Sequence, residues 1–185
     1  MEIKGEYQIN VARETVWQAL NDPAMLQKCI PGCEFLERTG DNEFAAKVTA
    51  AIGPVRARFN TALSITDSKP PESYRLVGES KGGAAGFGSG SALVRLVEKD
   101  GGTLLSYDAD FKVGGKLAQV GSRLVLGATR KTADEFFGAF SKEIDPGAEK
   151  IEVEEAPSGQ AVVPKTWLAI AAAVVVLLIW WFLLR

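Results

Sequence analysis

Two runs of two-residue alternation, separated only by Gly53 and Pro54, constrain this 185-residue chain more than any other feature. In the first, Phe44, Ala46, Val48, Ala50 and Ile52 alternate with Glu43, Lys47 and Thr49. In the second, Val55, Ala57, Phe59, Thr61, Leu63 and Ile65 alternate with Arg56, Arg58, Asn60 and Ser64. Successive strand side chains point to opposite faces, so the pattern predicts a hairpin with one apolar and one wetted face. Further strand runs at 3–9, 73–79, 87–97 and 103–111, and one beginning near Glu34, are separated by Gly, Pro and Asp clusters. The expected sheet is antiparallel and one-sided.

A one-sided sheet needs a cover. After Gly114 and Gly115 the period becomes helical, with Leu117, Val120, Gly121, Leu124, Ala128, Phe136 and Phe140 on one stripe that runs to about Glu143. Near the start, Asn10 is read as the cap of a short helix carrying Thr15, Val16, Ala19 and Leu20, which Pro23 stops. A strand, a short helix, a meander of about six strands and one long C-terminal helix give an α+β fold in which the sheet wraps around the helix, a helix-grip layout.

Several chemistries are excluded by what is missing. The chain has no histidine and only two cysteines, Cys29 and Cys33, so neither a closed zinc site nor a His-assisted triad is available. Both thiols are expected to be free and reduced. The loop KGGAAGFGSG at 81–90 lacks the Gly-Lys-Ser/Thr ending that cradles phosphate. It reads either as a flexible hairpin loop or as a mobile lip with Phe87 as its one large apolar residue. Arg56, Arg58, Asp108, Asp110 and Lys112 fall on the outward side of their strands, as solvated surface. No catalytic and no metal-binding residue is assigned. Residues 1–143 hold 18 Lys+Arg and 18 Asp+Glu, a balance that gives no attraction for nucleic acid.

The inward positions mix large and small side chains. Gly121, Gly127 and Ala128 interrupt Leu117, Val120 and Leu124 on the helix, while Ala46, Ala50, Ala57 and Ala109 stand among Phe44, Phe59, Tyr107 and Phe111 on the strands. A packed core and a hollow are both compatible with this set, because interiors tolerate few voids but small residues leave space.

The C-terminus carries a different signal. Residues 144–166 shift to Asp, Glu, Pro, Gly and Ser, with five acidic residues against Lys150 and Lys165, and read as a flexible acidic linker. From Trp167 to Leu184 no charge occurs. Eighteen residues at about 1.5 Å each reach roughly 27 Å, close to the ~30 Å hydrocarbon thickness. Trp167 at one end and Trp180 with Trp181 at the other sit where interfacial aromatics anchor a span, flanked by Lys165 and Arg185. The segment 167–185 is therefore expected to be a single transmembrane tail anchor. The opening MEIKGEYQIN is no secretory signal, which puts the domain 1–143 on the cytoplasmic side of the cytoplasmic membrane.

Several motifs then carry a resemblance. IPGC at 30–33, GPV at 53–55, the KGGAAGFGSG loop, GT followed by a tyrosine strand at 102–107, and VGGKLAQVGSRL at 113–124 followed by EFF resemble the family of the CoxG subunit of carbon monoxide dehydrogenase over roughly residues 1–142. That family is similar to the START-like, or SRPBCC, superfamily, whose helix-grip domains enclose an apolar ligand cavity. The resemblance implies an accessory protein that recruits a molybdenum-containing carbon monoxide dehydrogenase, or a related molybdenum hydroxylase, to the membrane. Such an enzyme must pass electrons to quinones dissolved in lipid. A bare quinone leaves lipid only at a large hydrophobic cost, and a tethered apolar cavity lowers that cost.

The leading expectation is thus a membrane-anchored protein that binds a respiratory quinone, menaquinone or ubiquinone, as a non-covalent ligand. Phe44, Phe59, Phe87, Tyr107, Phe111, Leu117, Val120, Gly121, Leu124 and Ala128 are the candidate ligand-binding residues. An adaptor with a solid core and no ligand is the second reading. An enzyme is the third, least supported because no histidine and no convergent acid–base pair is present.

Overall fold

Along residues 1–145, which the computed structural model describes, the chain runs β1 (Glu2–Ile9), α1 (Arg13–Leu20), α2 (Pro23–Cys29), β2 (Cys33–Gly40), β3 (Glu43–Ile52), β4 (Val55–Lys69) and β5 (Ser73–Lys81). A 3-10 turn at Gly83–Ala85 then leads to β6 (Phe87–Lys99), β7 (Gly102–Gly114), α3 (Lys116–Val120) and α4 (Ser122–Ile144). The seven strands form one antiparallel sheet in the order β1-β7-β6-β5-β4-β3-β2. Each strand from β2 to β7 pairs with its sequence neighbour, while β1 returns to pair with β7 from Glu2↔Asp110 to Ile9↔Thr103.

The alternating runs form the hairpin their pattern predicts. β3 and β4 pair without a register shift from Glu43↔Ser64 to Ile52↔Val55, leaving Gly53 and Pro54 as a two-residue turn. Phe44, Ala46 and Phe59 are buried, whereas Glu43, Arg56, Arg58 and Asn60 are exposed. The glycine loop is shorter than 81–90 suggests. Lys81 pairs with Phe87, so both strands extend into it and only residues 82–86 connect them. There Gly86, with φ of 118°, packs backbone to backbone against Gly115, with φ of 71°, a close approach that no side chain permits.

Two helical expectations are corrected. Asn10 does not cap α1: Ala12 holds the cap position and makes no side-chain hydrogen bond, and Pro23 opens the second helix, α2. Asp22 caps α2 by accepting from the Ala24 N–H at 2.9 Å, and proline suits the first helical turn, where an N–H has no partner anyway. The long helix is also two helices, because Gly121 takes φ of 94° between α3 and α4. That break resets the helical phase. Leu117 is buried on α3, but the buried residues of α4 are Val125, Phe137 and Phe140, and Leu124 is 54% exposed.

α4 packs against α1, α2, β1 and β3. Its fully buried Phe140 joins Ile9, Val16, Leu96 and Leu105 in the main core, each such side chain contributing about 1.5–3 kcal/mol by leaving water. A second, smaller cluster of Phe59, Ala85 and Leu117 forms at the far end of the sheet, with Ile52, Val55 and Val113 against it. Among the described residues no helix is long and apolar enough to cross a membrane. The apolar run at 167–184, with Trp167, Trp180 and Trp181, and all but the start of the linker lie outside the described residues.

Candidate functional site

Between the two core clusters lies a cavity of about 760 Å³. Its wall draws on both clusters, with Phe44, Ile65, Tyr74 and Leu105 from the larger and Phe59 and Leu117 from the smaller. Inward alternation along the strands supplies the rest of the floor: Leu63 from β4, Leu76 and Ser80 from β5, Ala92 and Val94 from β6, Tyr107, Ala109 and Phe111 from β7. α4 roofs it with Val125, Ala128, Thr129, Phe136 and Phe137. Gly32, Ala51, Lys131, Thr132 and Glu135 line the same cavity yet are exposed, which places its mouth between the end of β3, the turn after α2 and the middle of α4.

The roof is held by aromatic contacts. Phe137 stacks on Tyr7 with ring centroids 4.2 Å apart and on Tyr107 at 5.7 Å, and Phe136 meets Phe137 edge-on at 4.8 Å. The Tyr7 hydroxyl donates to Asp134 Oδ1 at 2.6 Å, so the rim of α4 is also tied to β1. Burial, reinforced by that bond, pushes the Tyr7 phenol well above its ordinary value, and burial does the same to Tyr107. Lys131 and Glu135 form an ion pair at 3.6 Å across one helical turn at the mouth.

Six of the ten candidate ligand-binding residues line this cavity: Phe44, Phe59, Tyr107, Phe111, Leu117 and Ala128. The other four lie outside its lining. Phe87 is 54% exposed, because the even-numbered residues of β6 face inward and 87 falls on the other face. Val120 and Leu124 pack beside Gly53 at the β3–β4 turn instead of over the cavity, and Gly121 is exposed at the break between α3 and α4. Residues not among the ten include Tyr74 and Leu76, on the same inward parity as Ser80, and Val125, Phe136 and Phe137 on α4. The alternation of Tyr74 and Leu76 against Arg75 carried that signal in the sequence.

The wall is built for contact with apolar groups. Cys29 and Cys33 are free, and burial pushes both thiols up, away from the thiolate form that nucleophilic chemistry needs. Among the described residues no group of three or more His, Cys, Asp or Glu is placed to hold a metal ion. The outward charges are spent on surface pairs, Arg58 with Glu34 at 2.9 Å and Lys4 with Asp108 at 2.7 Å.

Comparison with known proteins agrees with this architecture. A conserved protein from Geobacillus kaustophilus has a solved structure 33% identical in sequence, with a TM-score of 0.73 over 78% of this chain and 95% of that one. A Thermus thermophilus protein superposes with a TM-score of 0.60 at 15% identity, over 80% of this chain and all of that one. The Zhui aromatase/cyclase from a Streptomyces species superposes with a TM-score of 0.59 at 11% identity, over 78% and 93% of the two chains. Identities this low in the last two show a common fold alone, an antiparallel sheet wrapped around a C-terminal helix. No curated protein matches the sequence. The family model for the CoxG subunit of carbon monoxide dehydrogenase matches residues 5–145, nearly the whole of the described domain, and the chain belongs to that family.

Proposed function

We propose that this protein is a non-catalytic quinone carrier, which takes menaquinone or ubiquinone from the lipid phase and presents it to a molybdenum-containing carbon monoxide dehydrogenase or a related molybdenum hydroxylase. The observation that carries the reading is the cavity of about 760 Å³ between two separate core clusters, walled almost throughout by aliphatic and aromatic side chains. Pockets of a few hundred to about a thousand Å³ hold ligands of drug size, and apolar walls recover the hydrophobic free energy a quinone ring loses on leaving the membrane. Phe136, Phe137 and Tyr107 add aromatic rings to this wall, against which a flat head group can pack. Membership of the family supports the partner, and the charge-free run from 167 to 184 supports a membrane anchor.

The test uses the full chain in detergent, titrated with menaquinone and ubiquinone by equilibrium dialysis. Saturable binding near one quinone per chain is expected. In parallel, removal of residues 167–185 is expected to shift the protein from the membrane to the soluble fraction of a lysate. No binding by the intact chain would leave the adaptor reading, in which the family's dehydrogenase is gripped without any ligand.

A further inference from the structure

Most polar side chains in the cavity wall are already partnered. Thr61 and Ser80 bond to one another at 2.5 Å, Thr129 donates to the Val125 carbonyl at 2.8 Å, and Thr49 donates to Glu34 Oε1 at 2.6 Å. The Tyr107 hydroxyl lies beside that of Tyr7 at the β1 edge. Tyr74 is the exception. It is only 6% exposed and lines the cavity, yet its hydroxyl has no hydrogen-bond partner among the described residues. The one side-chain nitrogen or oxygen there that is both sealed and unpartnered is Nε of Arg13. The Tyr74 oxygen is thus not fully sealed by protein, and Tyr74 is a residue of the cavity wall. A buried hydroxyl without a partner is costly, so its retention at this point calls for a group that satisfies it.

Its position fits the end of a ligand. Tyr74 and Ser80 both line the cavity from one strand, six residues apart, which spans roughly 20 Å at about 3.3 Å per residue. Tyr74 stands at the end covered by α1, where Trp17 meets its ring edge-on with centroids 5.5 Å apart. The exposed rim at Ala51, Lys131 and Glu135 belongs to the end of β3 and the middle of α4. Resting on the carrier reading, we infer that the Tyr74 hydroxyl donates a hydrogen bond to a carbonyl oxygen on the ring head of the ligand, so that the head enters first and the apolar tail trails toward the mouth. Burial pushes the Tyr74 phenol up, which keeps it protonated and a donor throughout the neutral range. The site then selects rings bearing a carbonyl over hydrocarbons of the same shape, because only the former satisfy the hydroxyl.

The test uses the full chain in detergent with menadione, a naphthoquinone ring without a tail, and 2-methylnaphthalene, a similar ring without carbonyls. Tyr74→Phe keeps the ring and its contact with Trp17 and removes only the oxygen. Equilibrium dialysis is expected to show menadione binding about threefold to tenfold weaker in Tyr74→Phe, the effect of one neutral hydrogen bond, with methylnaphthalene binding unchanged. Infrared spectra of bound menadione are expected to show one carbonyl band lowered in the parent protein and restored in the variant. Should the variant fold poorly, the parent's band against that of menadione in hexane decides alone. Equal menadione binding with an unshifted band overturns the Tyr74 assignment while leaving the carrier intact; a parent protein that binds neither ring overturns both.

Discussion

The ring of Phe137 lies stacked on that of Tyr7, centroids 4.2 Å apart and planes 25° from parallel. The contact joins the last turns of α4 to the edge strand β1, so it fixes the roof over the cavity while leaving the stretch from Val125 to Thr132 to bridge open space. Truncation of Phe137, which is 9% exposed, removes this clamp and a large buried ring. Phe137→Ala is expected to cost about 3–5 kcal/mol, seen as a fall of roughly 10 °C or more in calorimetric Tm. A loss under about 1 kcal/mol would show that the roof is held elsewhere.

Filling the hollow separates binding from folding. Ala109 lies on β7 in the floor, opposite Ile3 and Ala92, and Ala128 lies in the roof near the mouth. Phenylalanine at either site enters open volume instead of displacing packed atoms, so the usual penalty for overpacking a core is largely avoided. Ala109→Phe and Ala128→Phe are expected to weaken quinone binding at least tenfold with Tm changed by only a few degrees. Dialysis and calorimetry on the same preparations check both halves.

The glycines of the C-terminal helices respond oppositely to the same substitution. Gly127 lies inside α4 with nothing within 4 Å of an added Cβ, so Gly127→Ala is expected to stabilise by about 0.5–1 kcal/mol through the backbone freedom it removes. Gly121 has equal space, but its φ of 94° is strained for any L side chain, and Gly121→Ala is expected to destabilise by about 1–3 kcal/mol. Urea midpoints for the two variants should move in opposite directions.

Stability is expected to fall on the alkaline side. Burial raises Cys29 and Cys33 from 9.0, and burial is also the leading cause that raises Tyr7, Tyr74 and Tyr107 from 10.0. Above those unfolded values the unfolded chain loses protons that the folded chain keeps, so the contribution is whole below pH 9 and declines as pH rises. The measurement is Tm from pH 7 to 11 together with tyrosinate absorbance. The three tyrosines are expected to titrate above pH 10, alongside unfolding.

Much of this architecture was legible because the burial of one face writes itself into the strands with a period of two. Phe44 to Ile65 fixed the hairpin and its register, and Tyr107, Phe111 and Phe59 were placed on the correct face by the same parity. Phe87 misled because size, not parity, singled it out; Gly88, Ala92 and Val94 on the same strand carried the inward phase. Helical phase failed for a different reason. A period of 3.6 can be extended only through unbroken helix, and the positive φ of Gly121 ends it, so Leu117 predicts nothing about Leu124. Whether small inward residues leave a hollow or are filled by neighbours depends on how far apart sheet and helix stand, which no local pattern encodes.

Quinone carriage requires that the hollow between the Phe59–Leu117 cluster and the main core be occupied by a quinone in the working protein. Native mass spectrometry of the full chain, released from gently solubilised membranes, tests this most directly. The expected spectrum shows a second species heavier by the mass of one respiratory quinone, and the same preparation of Ala128→Phe lacks it. A single unliganded species in the parent protein, unchanged after incubation with excess quinone, would rule out quinone carriage.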